Sequence, residues 1–159
     1  RYMITKLTDI VCGGKSRQES VLKGFSRLKS DDTKVLIHDG ARPFVNEKII
    51  KSVVSGLDKF SAVTCAVKVK DTIKQIDGNG KVVKTLARDS LVSVQTPQGV
   101  RVAQYLKAIE NLDVSTFTDD TSIMEYSGNQ VLTVEGSYKN IKIGGKRVVI
   151  HHFIHIVDE

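Results

Sequence analysis

The sequence predicts an α/β fold: a mainly parallel sheet flanked by helices, with a β-hairpin standing out from it. Three observations lead there. Short apolar runs at Val35–Ile37 and Ala62–Val69 have the length of buried strands. They alternate with stripes at helical spacing, Val21, Leu22, Phe25 and Leu28, then Ile49, Ile50, Val53, Val54 and Leu57. Strand and helix taking turns argue for βαβ units. The pattern then breaks at Asp77-Gly78-Asn79-Gly80, a strong hairpin signal between Thr72–Ile76 and Lys81–Leu86.

Element by element, Ile10–Cys12 reads as a strand tip ending at Gly13-Gly14. Ser16-Arg17-Gln18-Glu19 has the spacing of a capping box, so a helix starts there. Asn46 caps the second helix. Both hairpin strands mix Lys with Ile and Val, so the hairpin cannot bury two faces in a small domain and projects as an arm. Val92–Val94 is a further strand leading into Thr96-Pro97-Gln98-Gly99. Val102, Tyr105, Leu106 and Ile109 mark a third helix. Thr118, Asp119 and Asp120 suit the cap and first turn of a short fourth one; metal binding by the two aspartates is the lesser alternative. Val131–Val134 and Ile141–Ile143 read as short strands.

The chain has 159 residues, 40% hydrophobic and 26% charged, which suits one globular domain. Its apolar runs are far too short to span a bilayer, and the first ten residues lack the apolar core of a signal peptide. Cys12 and Cys65 read as reduced core thiols of a cytoplasmic protein. The net charge is +6, yet Lys and Arg are scattered and aromatics are only 6%. That disfavours nucleic acid, which needs clustered cations or stacking platforms, and favours small phosphorylated ligands.

The most informative segment is Lys34–Pro43, in which an apolar strand runs into His38-Asp39-Gly40-Ala41-Arg42-Pro43. Ligands of open α/β sheets bind beyond the carboxyl ends of strands. Asp accepts from sugar hydroxyls or holds a metal, and Arg offers a planar fork for phosphate. The alternative is a strand end with a surface ion pair.

Six segments in order then carry a resemblance: GGKSRQESV (Gly13–Val21), HDGARP (His38–Pro43), VKDTIK (Val69–Lys74), TLARDSL with QTPQ (Thr85–Gln98), FTDDTSIMEYSG (Phe117–Gly128) and VEGSYKNIKI (Val134–Ile143). Together the chain resembles the 2-C-methyl-D-erythritol 4-phosphate cytidylyltransferases of non-mevalonate isoprenoid biosynthesis. The enzymes that make CDP-ribitol from ribitol 5-phosphate share much of the pattern.

The resemblance implies a Rossmann-like α/β domain over 1–159, with a β-arm over 69–96 that interlocks two subunits as a homodimer. It implies a nucleotidyltransferase that couples CTP to a sugar-alcohol phosphate with Mg²⁺ and releases pyrophosphate, in the cytoplasm. Gly14, Lys15 and Ser20 match positions that recognise cytosine. Asp39 and Gly40 match positions near the ribose, metal or substrate. Arg42 and Thr96 match substrate contacts, and Thr72 and Arg88 match arm residues that reach the neighbouring subunit's substrate phosphate. Lys142 matches a lysine on the nucleotide phosphates, and with Asp39 is the expected catalytic pair.

Two departures temper this. The family's A-A-G-x-G-x-R-M loop, with the strand before it, is not in this sequence, so the chain alone is expected to be feebly active or a non-catalytic dimeric module of the fold. After Ile143 the chain reads GGKRVVIHHFIHIVDE, a divergent end with no clean polar face; His151 and His155 have a spacing that binds metal on a helix, but a metal site is the minor reading.

Overall fold

The computed structural model describes residues 6–28, 33–144 and, as backbone, 152–157. In chain order come α1 (Arg17–Phe25), β1 (Lys34–Asp39), α2 (Glu47–Gly56), β2 (Ala62–Lys68), β3 (Lys74–Ile76), β4 (Val82–Thr85), β5 (Val92–Arg101), α3 (Val102–Ile109), α4 (Asp120–Tyr126), β6 (Val131–Glu135) and β7 (His152–Val157). Among these residues no helix is long and apolar enough to cross a membrane.

The helix starts follow their caps. Ser16 accepts from the Glu19 amide, and the Glu19 carboxylate reaches back to the Lys15 amide at 2.6 Å. Asn46 accepts from the Ile49 amide, and Asp119 from the Ser122 amide.

The central sheet has the order β6-β2-β5-β1-β7. Here the structure corrects the expectation of a mainly parallel sheet. Only β2–β6 is parallel; β1–β5, β2–β5 and β1–β7 are antiparallel. The strands β1, β2 and β6 do run the same way, as the alternation with helices requires. But the hairpin after β2 reverses the chain, and β5 returns between β1 and β2. The β5 strand is also longer than expected. It takes in Thr96-Pro97-Gln98-Gly99, with a cis Thr96–Pro97 bond, and these residues are buried.

Successive residues of a strand face opposite ways, and β1 uses both faces. Val35 and Ile37 join Val21, Phe25, Val100, Tyr105, Ile123 and Met124 under α1, α3 and α4. Leu36 joins Ile49, Val53, Leu57, Val63 and Cys65 under α2. Each fully buried aliphatic side chain contributes roughly 1.5–3 kcal/mol. Gly99 sets the spacing of the second layer, since a Cβ there would lie 2.6 Å from a Val53 methyl.

Further expectations are corrected. Residues 10–12 form no strand, and Ile10 is exposed. Cys12 is likewise exposed rather than in the core; both cysteines are free thiols. Residues 141–143 are irregular, held to the tip of β1 through the Ile143 amide and Ala41 carbonyl at 2.8 Å. The divergent end forms β7, a strand on β1 with Asp39 opposite His152, so helical spacing does not apply to His155. His151 lies outside the described residues.

The hairpin β3–β4 is as the sequence predicts. Every residue of both strands is exposed, including Ile76, Val82 and Val83.

Candidate active site

The carboxyl end of β1 delivers Asp39 to the edge of the sheet, where its side chain is 5% exposed. Two cations meet it there. Lys142 Nζ lies 2.9 Å from Oδ2, and Arg42 Nε 3.5 Å from the same oxygen. Arg42 is brought round by a turn in which its amide donates to the Asp39 carbonyl at 2.9 Å, with Gly40 and Ala41 inside the turn. Its guanidinium also donates from NH1 to the Asn140 carbonyl at 2.9 Å.

Thr96, on β5 beside the tip of β1, accepts from the Asp39 amide at 3.0 Å. Its hydroxyl also meets His38 Nδ1 at 2.9 Å, and His38 Nε2 meets the Arg42 carbonyl at 3.0 Å. Burial holds the His38 imidazole below its ordinary pKa, against the opposing pull of its Arg42 contact and Asp39.

The loop after β6 closes the cluster. Asn140 is fully buried and donates from Nδ2 to the Thr96 carbonyl at 2.9 Å. Gln95 pins the same loop, donating to the Ser137 carbonyl at 2.9 Å and accepting from the Ser137 amide at 3.2 Å. Lys142 is thereby carried to Asp39 by a loop that is anchored, not by a strand.

A second group sits at the start of α1. The Gly14 amide donates to Ser20 Oγ at 2.9 Å, and that hydroxyl donates to the Ser16 carbonyl at 2.9 Å. Gly14 is sterically required, since a Cβ there would lie 2.4–2.5 Å from Glu19 side-chain carbons. Arg17 links this loop to the interior by an ion pair with the fully buried Asp120 at 2.5 Å. Burial opposes the charge on Arg17, but Asp120, and more weakly Asp39, raise its pKa above the ordinary value. Asp120 also accepts from the Tyr105 hydroxyl at 3.1 Å, and Gln98 bridges both aspartates, accepting from the Asp120 amide and donating to Asp119.

Of the residues expected from sequence, Asp39, Gly40, Arg42, Thr96 and Lys142 therefore come together in one cluster. Gly14, Lys15 and Ser20 form the separate group at the start of α1. Thr72 and Arg88 are exposed at the base of the arm, beyond the Lys68–Val92 end of the β2–β5 ladder, with Arg88 donating to the Lys70 carbonyl at 2.8 Å. Sequence reasoning missed His38, Asn140, Gln95 and Gln98. The motifs contained them, but nothing in a pattern of polar residues says that they are buried and paired.

Chemically, two cations around one buried carboxylate suit a polyanion. The Arg42 fork and the Lys142 ammonium present donors, while Asp39 supplies an acceptor for a hydroxyl or a cation.

A sequence model of the 2-C-methyl-D-erythritol 4-phosphate cytidylyltransferase family matches residues 2–151. The chain belongs to this family. It is 42% identical over 160 aligned positions to the 2-C-methyl-D-erythritol 4-phosphate cytidylyltransferase of Bacillus cereus, covering 98% of this chain and 70% of the relative. It is 48% identical to the cytidylyltransferase of that name from Clostridium novyi, covering 90% of this chain but 62% of the relative. Among solved structures, 4-diphosphocytidyl-2C-methyl-D-erythritol synthase from Anaerococcus prevotii superposes with a TM-score of 0.78 at 36% identity, over 86% of this chain and 64% of that one. The cytidylyltransferase of Francisella tularensis superposes with a TM-score of 0.74 at 37% identity. The chain thus spans about two thirds of the length of the cytidylyltransferases it matches. The Asp39 cluster lies in the region shared with the family.

Proposed function

We propose that this chain serves as a cytidylyltransferase that couples CTP to 2-C-methyl-D-erythritol 4-phosphate in non-mevalonate isoprenoid biosynthesis, in the cytoplasm. The observation that carries the reading is the convergence of Lys142 and Arg42 on buried Asp39, in a chain of this family. A substrate phosphate oxygen attacks the α-phosphorus of CTP. The new P–O bond forms as the α–β bridge breaks, and pyrophosphate leaves with the bonding electrons. The protein's share in such a step is placement and charge neutralisation.

In this reading Lys142 lies against the nucleotide phosphates and Asp39 takes the ribose or the metal. Gly40 lets the ligand approach the backbone, and Arg42 and Thr96 face the sugar-alcohol phosphate. Gly14, Lys15 and Ser20 hold the cytosine. Thr72 and Arg88 act across a homodimer in which the arms interlock. The exposed Ile76, Val82 and Val83 support that role for the arm, since they leave it without a core of its own.

No group of three or more metal-binding side chains occurs among the described residues. A lone carboxylate fits Mg²⁺, which keeps several waters and leans on substrate phosphates. Asp39 is the residue that would hold it, and the ion would offset charge on the triphosphate.

The test is pyrophosphate release with CTP and Mg²⁺, using 2-C-methyl-D-erythritol 4-phosphate and ribitol 5-phosphate in parallel. Feeble turnover on the first, lost in Lys142→Ala, is expected. Turnover on ribitol 5-phosphate alone overturns the substrate. Silence on both, together with no binding of CTP, leaves a non-catalytic module of the fold as the correct reading. Val82→Lys with Val83→Lys should shift the chain to a monomer in sedimentation velocity; an unchanged mass rejects the arm as the interface.

A further inference from the structure

His38 stands at the centre of the Asp39 cluster, and its bonds determine where its proton sits. A carbonyl can only accept, so the contact with the Arg42 carbonyl at 3.0 Å requires a proton on Nε2. A neutral imidazole has one such proton, which leaves Nδ1 as an acceptor. The 2.9 Å contact with Thr96 is then a bond donated by the threonine hydroxyl. The same oxygen already accepts from the Asp39 amide at 3.0 Å. A hydroxyl has one proton and two lone pairs. Thr96 has used its proton and one lone pair, and has a single lone pair left.

We propose that His38 is a positioning residue that sets the hydrogen-bond polarity of Thr96, so that Thr96 accepts from a hydroxyl of the sugar-alcohol and does not donate to its phosphate. The inference rests on the proposed function for the substrate's identity, but the tautomer does not. Recognition of the polyol's phosphate then falls to cations such as Arg42 and Arg88. Thr96 becomes a reader of the polyol, the part of the substrate in which candidate sugar-alcohol phosphates differ. A site with a buried acceptor rejects a ligand that lacks the matching hydroxyl far better than an apolar pocket could.

Two measurements test this. A long-range ¹H–¹⁵N spectrum of the chain at neutral pH should show His38 with its proton on Nε2, and Thr96→Val should shift the Nδ1 resonance. A proton on Nδ1, or no response to Thr96→Val, overturns the proposal whatever the substrate proves to be. The second compares His38→Asn, which keeps an acceptor near the place of Nδ1, with His38→Gln, which offers a donor to the Arg42 carbonyl but no acceptor to Thr96. His38→Gln should raise KM for the polyol phosphate about tenfold and leave KM for CTP unchanged. His38→Asn should raise it less. Equal losses, or a loss confined to His38→Asn, assign His38 to clamping the turn alone and overturn the polarity argument. A correct tautomer with no binding of either polyol phosphate by the unmutated chain instead rejects the proposed substrate, and with it Thr96 as its reader.

Discussion

Removing the Asp120 carboxylate should be among the most damaging single changes in this protein. Its side chain is 0% exposed and that of Arg17 is 20% exposed. Asp120→Ala would leave a mostly buried guanidinium without its partner, and would strip the Tyr105 hydroxyl of its acceptor. Breaking a buried pair from one side costs about 3–5 kcal/mol, because the surviving charge stays desolvated. For a chain of this length that is a fall in Tm of about 6–20 °C. Urea unfolding gives the free energy, with an unchanged m-value showing that the unfolded reference is the same. The double variant Arg17→Met with Asp120→Leu removes both charges and retains bulk, so it should lose clearly less than the two single losses combined. A loss under about 1 kcal/mol for Asp120→Ala, or strict additivity in the double variant, would refute the reasoning.

Three other outcomes follow from the same structure. Asn140→Ala should cost about 1–2 kcal/mol, since the Thr96 carbonyl loses its donor while a buried, unpaired Asn140 Oδ1 disappears as well, and urea unfolding will show it. Burial pushes the Asp119 carboxyl up, but hydrogen bonds from Ser122, Gln98 and Thr121 outweigh it and hold the pKa below the ordinary 3.8. The unfolded chain therefore takes up that proton first, so this stability is complete above the ordinary value and is lost as pH falls through the lower native one. Asp119→Asn should flatten the decline of Tm as pH falls below the ordinary carboxyl value; an unchanged slope removes Asp119 as a source. Finally, burial raises the Cys65 thiol to about 11 while Cys12 is exposed. An alkylating reagent at neutral pH should label Cys12 alone until denaturant is added, as read by peptide mass spectrometry, and equal labelling of both would contradict the packing.

What the sequence reveals and what it conceals divide along physical lines. Caps are local, so Ser16, Asn46 and Asp119 could be read from spacing alone. Helical stripes and the Asp77–Gly80 turn are also local, and all of them hold. Strand direction is not local. An apolar run looks the same whichever way its neighbour points, and only the reversal at the arm makes β5 antiparallel to β1 and β2. The segment Thr96–Gly99 does not read as part of the strand, because it is polar and contains Pro and Gly. It is a buried strand because its polar groups have partners far away in sequence: His38 for Thr96, Asp119 for Gln98. The same holds at the site. Residue types chosen for phosphate chemistry, Asp39, Arg42 and Lys142, were visible; the residues that aim them, His38 and Asn140, were not.

The position of β5 has a consequence for how the chain reaches this structure. In the described sheets only β3–β4 joins strands adjacent in sequence, and that pair buries nothing. The strands that bury most, β1 and β2, both wait for β5. Among the described strands, β1 and β2 are made before β5, so their shared pairing stays open until Val92–Arg101 has left the ribosome. Closing loops of that span before any contact rewards them makes assembly slow. The central strand that completes the site is also the one that turns a loose chain into a sheet.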